Sequence, residues 1–282
     1  MSENSMESAV GEMTEVDLVT LESAVCLLEN PSFVARAANV IGSPIERAID
    51  LLPAKASEAI SKVAQKAISL ALKGAIATMK IPADGGTVPT ASNWWHKGAV
   101  AASGGAGGAF GFAGFVVEVP ITTTIMMRSI ADVARSEGAD ISKVDCQLEC
   151  VMVLALGGRP SSDDQADIGY FASRELLTRA TAAAAAHIAA HGIEKEGAPA
   201  LVRLIIAVSE RYAIKLTEKA AAQAVPIIGA AGGALINTFF IDHFQDIARG
   251  HFAVRRLEER YGSDLVAKEY KRFCEMTRPK GA

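Results

Sequence analysis

The sequence predicts an all-α protein, a compact helical bundle that contains two pseudo-repeated glycine-rich helical hairpins. Half of the 282 residues are hydrophobic, whereas only 6% are aromatic. This alanine-rich composition favours closely packed helices, because strands prefer β-branched and aromatic side chains. Helix-start signals recur along the chain, and the apolar–polar alternation of strands is hard to find.

Composition also limits the functional classes. The formal net charge of −4 argues against a protein that holds nucleic acid by neutralising phosphates. The mean hydropathy of +0.24 is high for a soluble protein and low for one built mainly of membrane spans. The first residues are polar and acidic, which predicts a cytoplasmic protein without a signal peptide. Four scattered cysteines do not form a disulfide scaffold.

The first half of the chain shows two helix-start signals and one segment with helical apolar spacing. Thr14 with Asp17 is a capping box that predicts a helix to about Leu28. Ser43, Pro44 and Glu46 form a second start signal. Residues 54–79 have helical apolar spacing, with Ile60, Val63, Ala67, Leu70 and Ala71 on the predicted inner face. We expect a variable extension with one helix at 1–42, a helical domain at 43–276 and a polar tail at 277–282.

The second half adds four further helix starts. Ser142 with Asp145, and Ser162 with Gln165, have capping spacing, and the second predicts a long helix to about His191. Pro199 predicts the start of a helix that reaches Ala224. Ser263 predicts the cap of a last short helix.

Two long uncharged stretches are rich in glycine. The first covers residues 98–117. Glu118 and Pro120 are expected to interrupt this stretch, and a helix is expected to continue to about Glu137. The second covers residues 220–241 and leads into a charged amphipathic helix at 239–262. Each helix contains an Asp-x-Ala-Arg motif, at residues 132–135 and 246–249. We therefore predict a pseudo-symmetric pair of hairpins.

The glycines in these stretches recur at helix-packing spacing. Glycine inside a helix costs about 1 kcal/mol relative to alanine, so this many require a reason. GxxxG pairs provide one, because they let another backbone approach closely. The predicted packing glycines are Gly104, Gly107, Gly108, Gly111, Gly229 and Gly233. Buried hairpins, reversible membrane insertion and stable spanning all stay open, although Glu118 and Arg128 make spanning unfavourable.

Nucleotide and metal motifs are incomplete. The stretch that begins at Gly105 and Gly107 has Phe110 where a dinucleotide-binding loop needs its third glycine, and no P-loop motif occurs. His187 and His191 form an HxxxH pair, but Ile188 stands where a zinc protease needs glutamate. The sequence therefore predicts no cofactor, and His187 and His191 are the metal candidates of this helix.

The densest polar cluster follows the second apolar stretch. Asp242, Asp246 and Arg249 fall on one helical stripe, and His243 and His251 share a neighbouring one. Such a group is suited to anion binding, metal binding or acid–base chemistry, or else it forms ion pairs on a helix surface. Together with its counterpart in the first hairpin, the candidate polar site is Arg128, Asp132, Arg135, Asp242, His243, Asp246, Arg249 and His251. We expect Arg128 and Asp242 to meet across a pseudo-twofold axis.

Residues 107–138 and 225–262 resemble the two signatures of the EcsC protein family. The matching positions in the first are Gly107, Gly111, Glu118, Pro120, Thr123, Arg128, Ile130, Asp132 and Arg135. Those in the second are Pro226, Gly229, Gly233, Asp242, His243, Ala248, Arg249, Gly250, His251, Arg255 and Leu257. The resemblance extends from about Leu51 to Glu269. The family name refers to a gene beside an ABC-type transporter, which implies a bacterial protein at the cytoplasmic face of a membrane, with no reaction attached.

These observations leave three functional hypotheses. The first is a non-enzymatic protein, cytoplasmic and peripheral at the inner membrane, that binds lipid or a membrane partner through its glycine-rich hairpins. The second is a hydrolase or metal-dependent enzyme that uses His243, Asp246 and His251. The third is a structural protein that assembles into homo-oligomers. None of them involves nucleic acid.

Overall fold

The computed structural model describes residues 12–29, 33–42, 44–50, 52–78, 111–158, 169–192, 198–225 and 229–277. This part of the chain contains ten helices and no strand, which confirms the all-α prediction. The helices are α1 (Glu15–Glu29), α2 (Phe33–Ile41), α3 (Ile45–Ile49), α4 (Ala56–Thr78), α5 (Gly111–Ser136), α6 (Val144–Leu156), α7 (Tyr170–His191), α8 (Pro199–Ala224), α9 (Gly229–Tyr261) and α10 (Ser263–Thr277).

Local start signals predicted several helices well. At α1 the Asp17 backbone N–H donates to Thr14 Oγ1 at 3.2 Å, and the Thr14 hydroxyl donates to the Asp17 carboxylate at 2.8 Å. Helix α8 begins at Pro199, as predicted, because a first-turn proline loses no intrahelical hydrogen bond. It also ends at the predicted Ala224.

Three local predictions were wrong. Helix α5 runs through Pro120 without a break, and buried neighbours such as Phe115 and Val119 offset the lost hydrogen bond. Ser142 does not cap α6; its N–H and hydroxyl bind the Asp140 carboxylate in the preceding turn. Leu70 is 45% exposed instead of buried. The described residues of the 1–42 segment form α1 and α2.

Helix α9 is the central element of the bundle. Its 33 residues make it about 50 Å long, at 1.5 Å per residue. It packs against α1, α2, α5, α6, α8 and α10. Its inner positions are fully buried aromatic and aliphatic residues, among them Phe240, Phe244, Ile247 and Val254. The core therefore surrounds this one helix.

Helices α5 and α9 lie side by side and run in the same direction. Asn237 Nδ2 donates to Glu118 at 2.8 Å, Gln245 Nε2 donates to Ser129 at 2.7 Å, and Arg256 donates to Glu137 at 2.7 Å. These pairs are 119, 116 and 119 positions apart. The two Asp-x-Ala-Arg motifs are 114 positions apart, close to the separation of these bonded pairs. The two motifs therefore lie at about the same height along the two helices.

Close packing of glycine occurs at positions that the sequence did not indicate. A Cβ on Gly158 would overlap the Arg211 backbone carbonyl, and one on Gly250 would lie 2.7 Å from Leu28 Cγ. Gly111 and Gly229 begin α5 and α9, and Gly233 is buried on α9. The other predicted packing glycines, Gly104, Gly107 and Gly108, lie outside the described residues.

Candidate functional site

The predicted polar site is divided among several faces. Arg36 of α2 lies 3.3 Å from Asp242 and 3.5 Å from Asp246. Arg249 lies 2.7 Å from Asp246. Asp242 therefore pairs with Arg36, not with Arg128 as expected.

The equivalent residues on α5 form a separate, local arrangement. Arg135 donates to Asp132 within α5 at 3.0 Å. Arg128 is exposed on the same helix. On α9, Asp242 and Asp246 both form ion pairs with Arg36 of α2. On α5, the ion pair of Asp132 with Arg135 lies within one turn of the same helix.

His243 is a buried histidine of the core. Its Nε2 lies 2.8 Å from the Gly157 carbonyl oxygen, an acceptor, so Nε2 donates. Its ring packs edge-on against Phe244, with centroids 4.9 Å apart. The hydrogen bond to Gly157 joins the end of α6 to α9, and we assign His243 a structural role.

His251 belongs to a different group, the histidine cluster, formed by Glu149, Tyr170, Arg174, His251, Arg255 and Glu258. Arg174 donates to the Tyr170 hydroxyl at 3.1 Å, and that hydroxyl lies 2.8 Å from His251 Nδ1. Because Arg174 occupies the oxygen as a donor, the Tyr170 proton is directed to Nδ1. His251 then carries its own proton on Nε2, which lies 3.8 Å from Glu149 Oε2. That distance is too long for a hydrogen bond.

Two arginines balance the two carboxylates of the histidine cluster. Glu258 accepts from Arg174 at 2.8 Å and from Arg255 at 3.1 Å. Arg255 Nε also lies 3.1 Å from Glu149. Burial lowers the pKa of His251, and the charges of both arginines add to this, while Glu149 partly offsets it. Burial alone would raise the pKa of Glu149, but His251 and the arginines hold it below its ordinary value.

A polar cleft of about 360 Å³ adjoins the histidine cluster. Glu149 and Arg255 belong to both the cleft wall and the cluster. The remaining lining is mainly charged and comes from the α5–α6 turn, α6 and the second half of α9: Glu137, Gly138, Ala139, Asp140, Lys143, Asp145, Cys146, Phe252, Arg256 and Glu259. From this region the sequence analysis placed only His251 in the candidate polar site, and it named Arg255 as a position of the EcsC resemblance.

No metal centre is formed by the described part of the chain, where no three His, Cys, Asp or Glu side chains are grouped to hold an ion. His187 and His191 stack on α7 with ring centroids 4.8 Å apart. His191 Nδ1 lies 3.4 Å from the His187 backbone carbonyl, and its ring is exposed. This pair lies at the end of a surface helix.

A second buried polar group, the lysine–carboxylate cluster, joins α5, α8 and α9. Lys219 Nζ lies 2.7 Å from Glu118 Oε1, and Thr122 and Asn237 donate to the same oxygen at 2.7 and 2.8 Å. Burial alone would raise the pKa of Glu118, but Lys219 and these hydrogen bonds hold it below its ordinary value. The sequence signal for this cluster was Glu118 itself, the acid that ends an uncharged stretch.

The outward face of α5 beside this cluster is apolar. Val117 and Ile121, one turn apart on the helix, are 68% and 53% exposed. Residues Gly114–Ser136 of α5 form the one helix in the described ranges that is long and apolar enough to cross a membrane. Of its apolar 18-residue stretch, 56% is buried inside the protein. The inward face of α5 packs against α4, α6, α8 and α9.

Residues 27–257 match the EcsC protein family. The protein belongs to this family. The match begins within α1 and ends before α10, so it starts earlier and stops earlier than the resemblance in the sequence indicated. Comparison with curated proteins gives no match, and comparison with solved structures gives none either. The matched range thus includes α5 and most of α9, the central parallel pair.

Proposed function

We propose that this EcsC-family protein is a non-enzymatic protein of the membrane surface, which binds a lipid bilayer through the glycine-rich end of α5. The observation that carries the proposal is the exposed pair Val117 and Ile121, with the intervening Glu118 turned inward to Lys219. An apolar helix face at a protein surface favours insertion into the headgroup region of a bilayer.

The partners of α5 support peripheral binding more than spanning. The inward side of the helix carries Glu118 and Thr123, whose polar atoms bind groups on α8 and α9, and Thr122, which donates to Glu118. A spanning α5 would need all of these contacts inside the hydrocarbon core, with the charged pair among them. A helix that lies along the interface keeps them in the protein and presents only Val117 and Ile121 to lipid.

The enzymatic hypothesis has less support from the geometry. Its three residues point to separate partners: His243 to Gly157, Asp246 to Arg36 and Arg249, and His251 to Tyr170. A general acid–base group needs its members within hydrogen-bond reach of one reacting site. For this reason the proposal assigns no reaction to these residues.

Flotation with liposomes tests the proposal without detergent. We expect the wild-type protein to rise with vesicles, and Val117→Ser with Ile121→Ser to remain largely at the bottom, because two exposed apolar contacts are lost. The matched control is Val16→Ser with Val19→Ser on α1, where the valines are 75% and 62% exposed. Equal flotation of the two double variants, or no flotation of the wild type, would contradict the proposal. Light scattering of the same samples separates homo-oligomers from vesicle binding.

A further inference from the structure

Four lysines form a straight row along the outer face of α4. Lys55, Lys62, Lys66 and Lys73 are separated by seven, four and seven positions, and all are exposed. At about 100° per residue these positions fall within about 20° of one line along the helix. Lys55 immediately precedes α4, and its carbonyl accepts a helix-type hydrogen bond from the Ala59 N–H at 3.2 Å. With a rise of about 1.5 Å per residue, the lysine row is about 27 Å long.

The lysine row is a local positive region on an acidic protein. Residues 55–78 contain these four lysines and one acid, Glu58, so their net charge is +3. Because the whole chain has a net charge of −4, the remaining residues carry −7. Glu58 lies on the same side as the lysines and pairs with Lys62 at 2.5 Å. The lysine row is therefore a positive segment of a chain whose other residues are net negative.

The orientation of the lysine row is fixed by the core. The opposite face of α4 carries buried Ile60, Ala64, Ala67 and Ile68, so the helix cannot rotate without exposing them. Helix α4 packs directly against α5, the helix that carries Val117 and Ile121. Leu70, between Lys66 and Lys73, adds an exposed apolar side chain to the same helix.

We propose that the lysine row of α4 binds the anionic headgroups of a membrane, an inference that rests on the lipid binding proposed above. Lysine presents a point charge on a flexible stem, which suits headgroups that diffuse in the bilayer plane. Each lysine near an anionic membrane surface strengthens binding roughly fivefold, corresponding to about 1 kcal/mol. Exposed Leu70 on α4 and the exposed apolar pair on the adjoining helix α5 favour a bilayer over a nucleic acid, which offers apolar side chains no apolar phase.

The test uses the full chain with two kinds of vesicle, phosphatidylcholine alone and phosphatidylcholine with about one-third phosphatidylserine. We expect tighter binding to the anionic vesicles, and a roughly 10- to 30-fold loss for Lys62→Gln with Lys66→Gln. The control Lys268→Gln with Lys271→Gln removes the same charge from exposed positions on α10 and should cost less than threefold. Glu58→Gln should strengthen binding roughly fivefold, because it removes the acid from the row.

The outcomes separate this inference from the proposed function. If the wild type binds neither vesicle, both are wrong. Equal binding of the wild type to both vesicles overturns only the inference. The same follows if the α10 control variant loses as much affinity as the variant of Lys62 and Lys66. Binding of a DNA or RNA duplex in preference to anionic vesicles, with the same dependence on Lys62 and Lys66, would assign the row to nucleic acid instead. Circular dichroism confirms that each variant keeps its helical content.

Discussion

Lys219 and Glu118 form an ion pair at 2.7 Å in which both side chains are almost completely buried. The pair joins α5 to α8, and Asn237 of α9 completes it with a hydrogen bond to the same carboxylate. Such a buried pair does not by itself make a protein more stable than an apolar contact would, but it makes each partner dependent on the other. It also holds the acid of α5 away from the surface that Val117 and Ile121 form.

Breaking this pair from one side should be costly. We expect Lys219→Met to lower the free energy of unfolding by about 3–5 kcal/mol, because an uncompensated carboxylate stays buried. The double variant with Glu118→Gln should recover at least half of the loss. Urea denaturation measures both, and Lys62→Met, which breaks the exposed pair with Glu58, should cost less than about 1 kcal/mol. A Lys219→Met loss no larger than that control would contradict the assignment.

The Glu118 carboxylate also predicts how the free energy of unfolding decreases at low pH. The pKa of Glu118 is lowered in the folded protein, whereas an unfolded glutamate titrates near pH 4.3. Its contribution is therefore complete above about pH 4.3 and disappears as the pH falls through the lower folded value. Unfolding free energies measured from pH 6 to pH 3 should decline less steeply for Glu118→Gln than for the wild type below about pH 4.3. Parallel curves would show that Glu118 is not the titrating group.

His251 predicts a second pH-dependent effect nearer neutrality. Its pKa is lowered by burial and by Arg174 and Arg255, so protonation favours the unfolded chain, whose histidine titrates near pH 6.5. Stability should therefore be full above about pH 6.5 and decrease below it, and His251→Asn should flatten this decrease. Imidazole titration by NMR should give a midpoint for His251 below 6.5. Replacing Glu149 with Gln should lower that midpoint further, since the carboxylate that favours protonation is gone.

Gly158 predicts a steric effect where α6 ends. Its missing side chain leaves room for the Arg211 backbone carbonyl, which cannot move without displacing α8. Gly158→Ala should lower the free energy of unfolding by about 3 kcal/mol. Gly169→Ala is the comparison, because the nearest atom there, Glu29 Oε1, would lie 3.8 Å from the new Cβ. That change should cost less than about 1 kcal/mol. Similar losses for the two variants would show that the contact with α8 relaxes.

Local sequence signals predicted local structure and little beyond it. The Thr14 capping box acts through hydrogen bonds within one turn and Pro199 through its fixed φ at the first turn, and both helices begin where the sequence indicated. The spacing of Asp242 and Asp246 correctly placed the two carboxylates on one face. Their partner Arg36 lies about 200 positions away, and no helical spacing could indicate it.

The histidine cluster shows the same limit at a larger scale. His251 was selected as a polar residue on α9, but its surroundings come from Glu149 on α6 and Tyr170 on α7. Periodicity identifies which residues share a helix face, whereas the packing of three helices decides which faces meet. Glu118 was visible in the sequence as an acid beside an uncharged stretch. Its partner Lys219 was not, because a lysine near a helix end is ordinarily exposed.

The docking of α1 on the far half of α9 has a consequence during synthesis. Asp17 accepts a hydrogen bond from the Tyr261 hydroxyl at 2.6 Å, across 244 positions, and Leu28 lies over Gly250. The part of α1 that packs on α9 therefore stays uncovered by that helix until α9 has left the ribosome. At about 5–20 residues per second this delay lasts on the order of 10 to 50 seconds. During that interval we expect the apolar face of α1 to be available to chaperones.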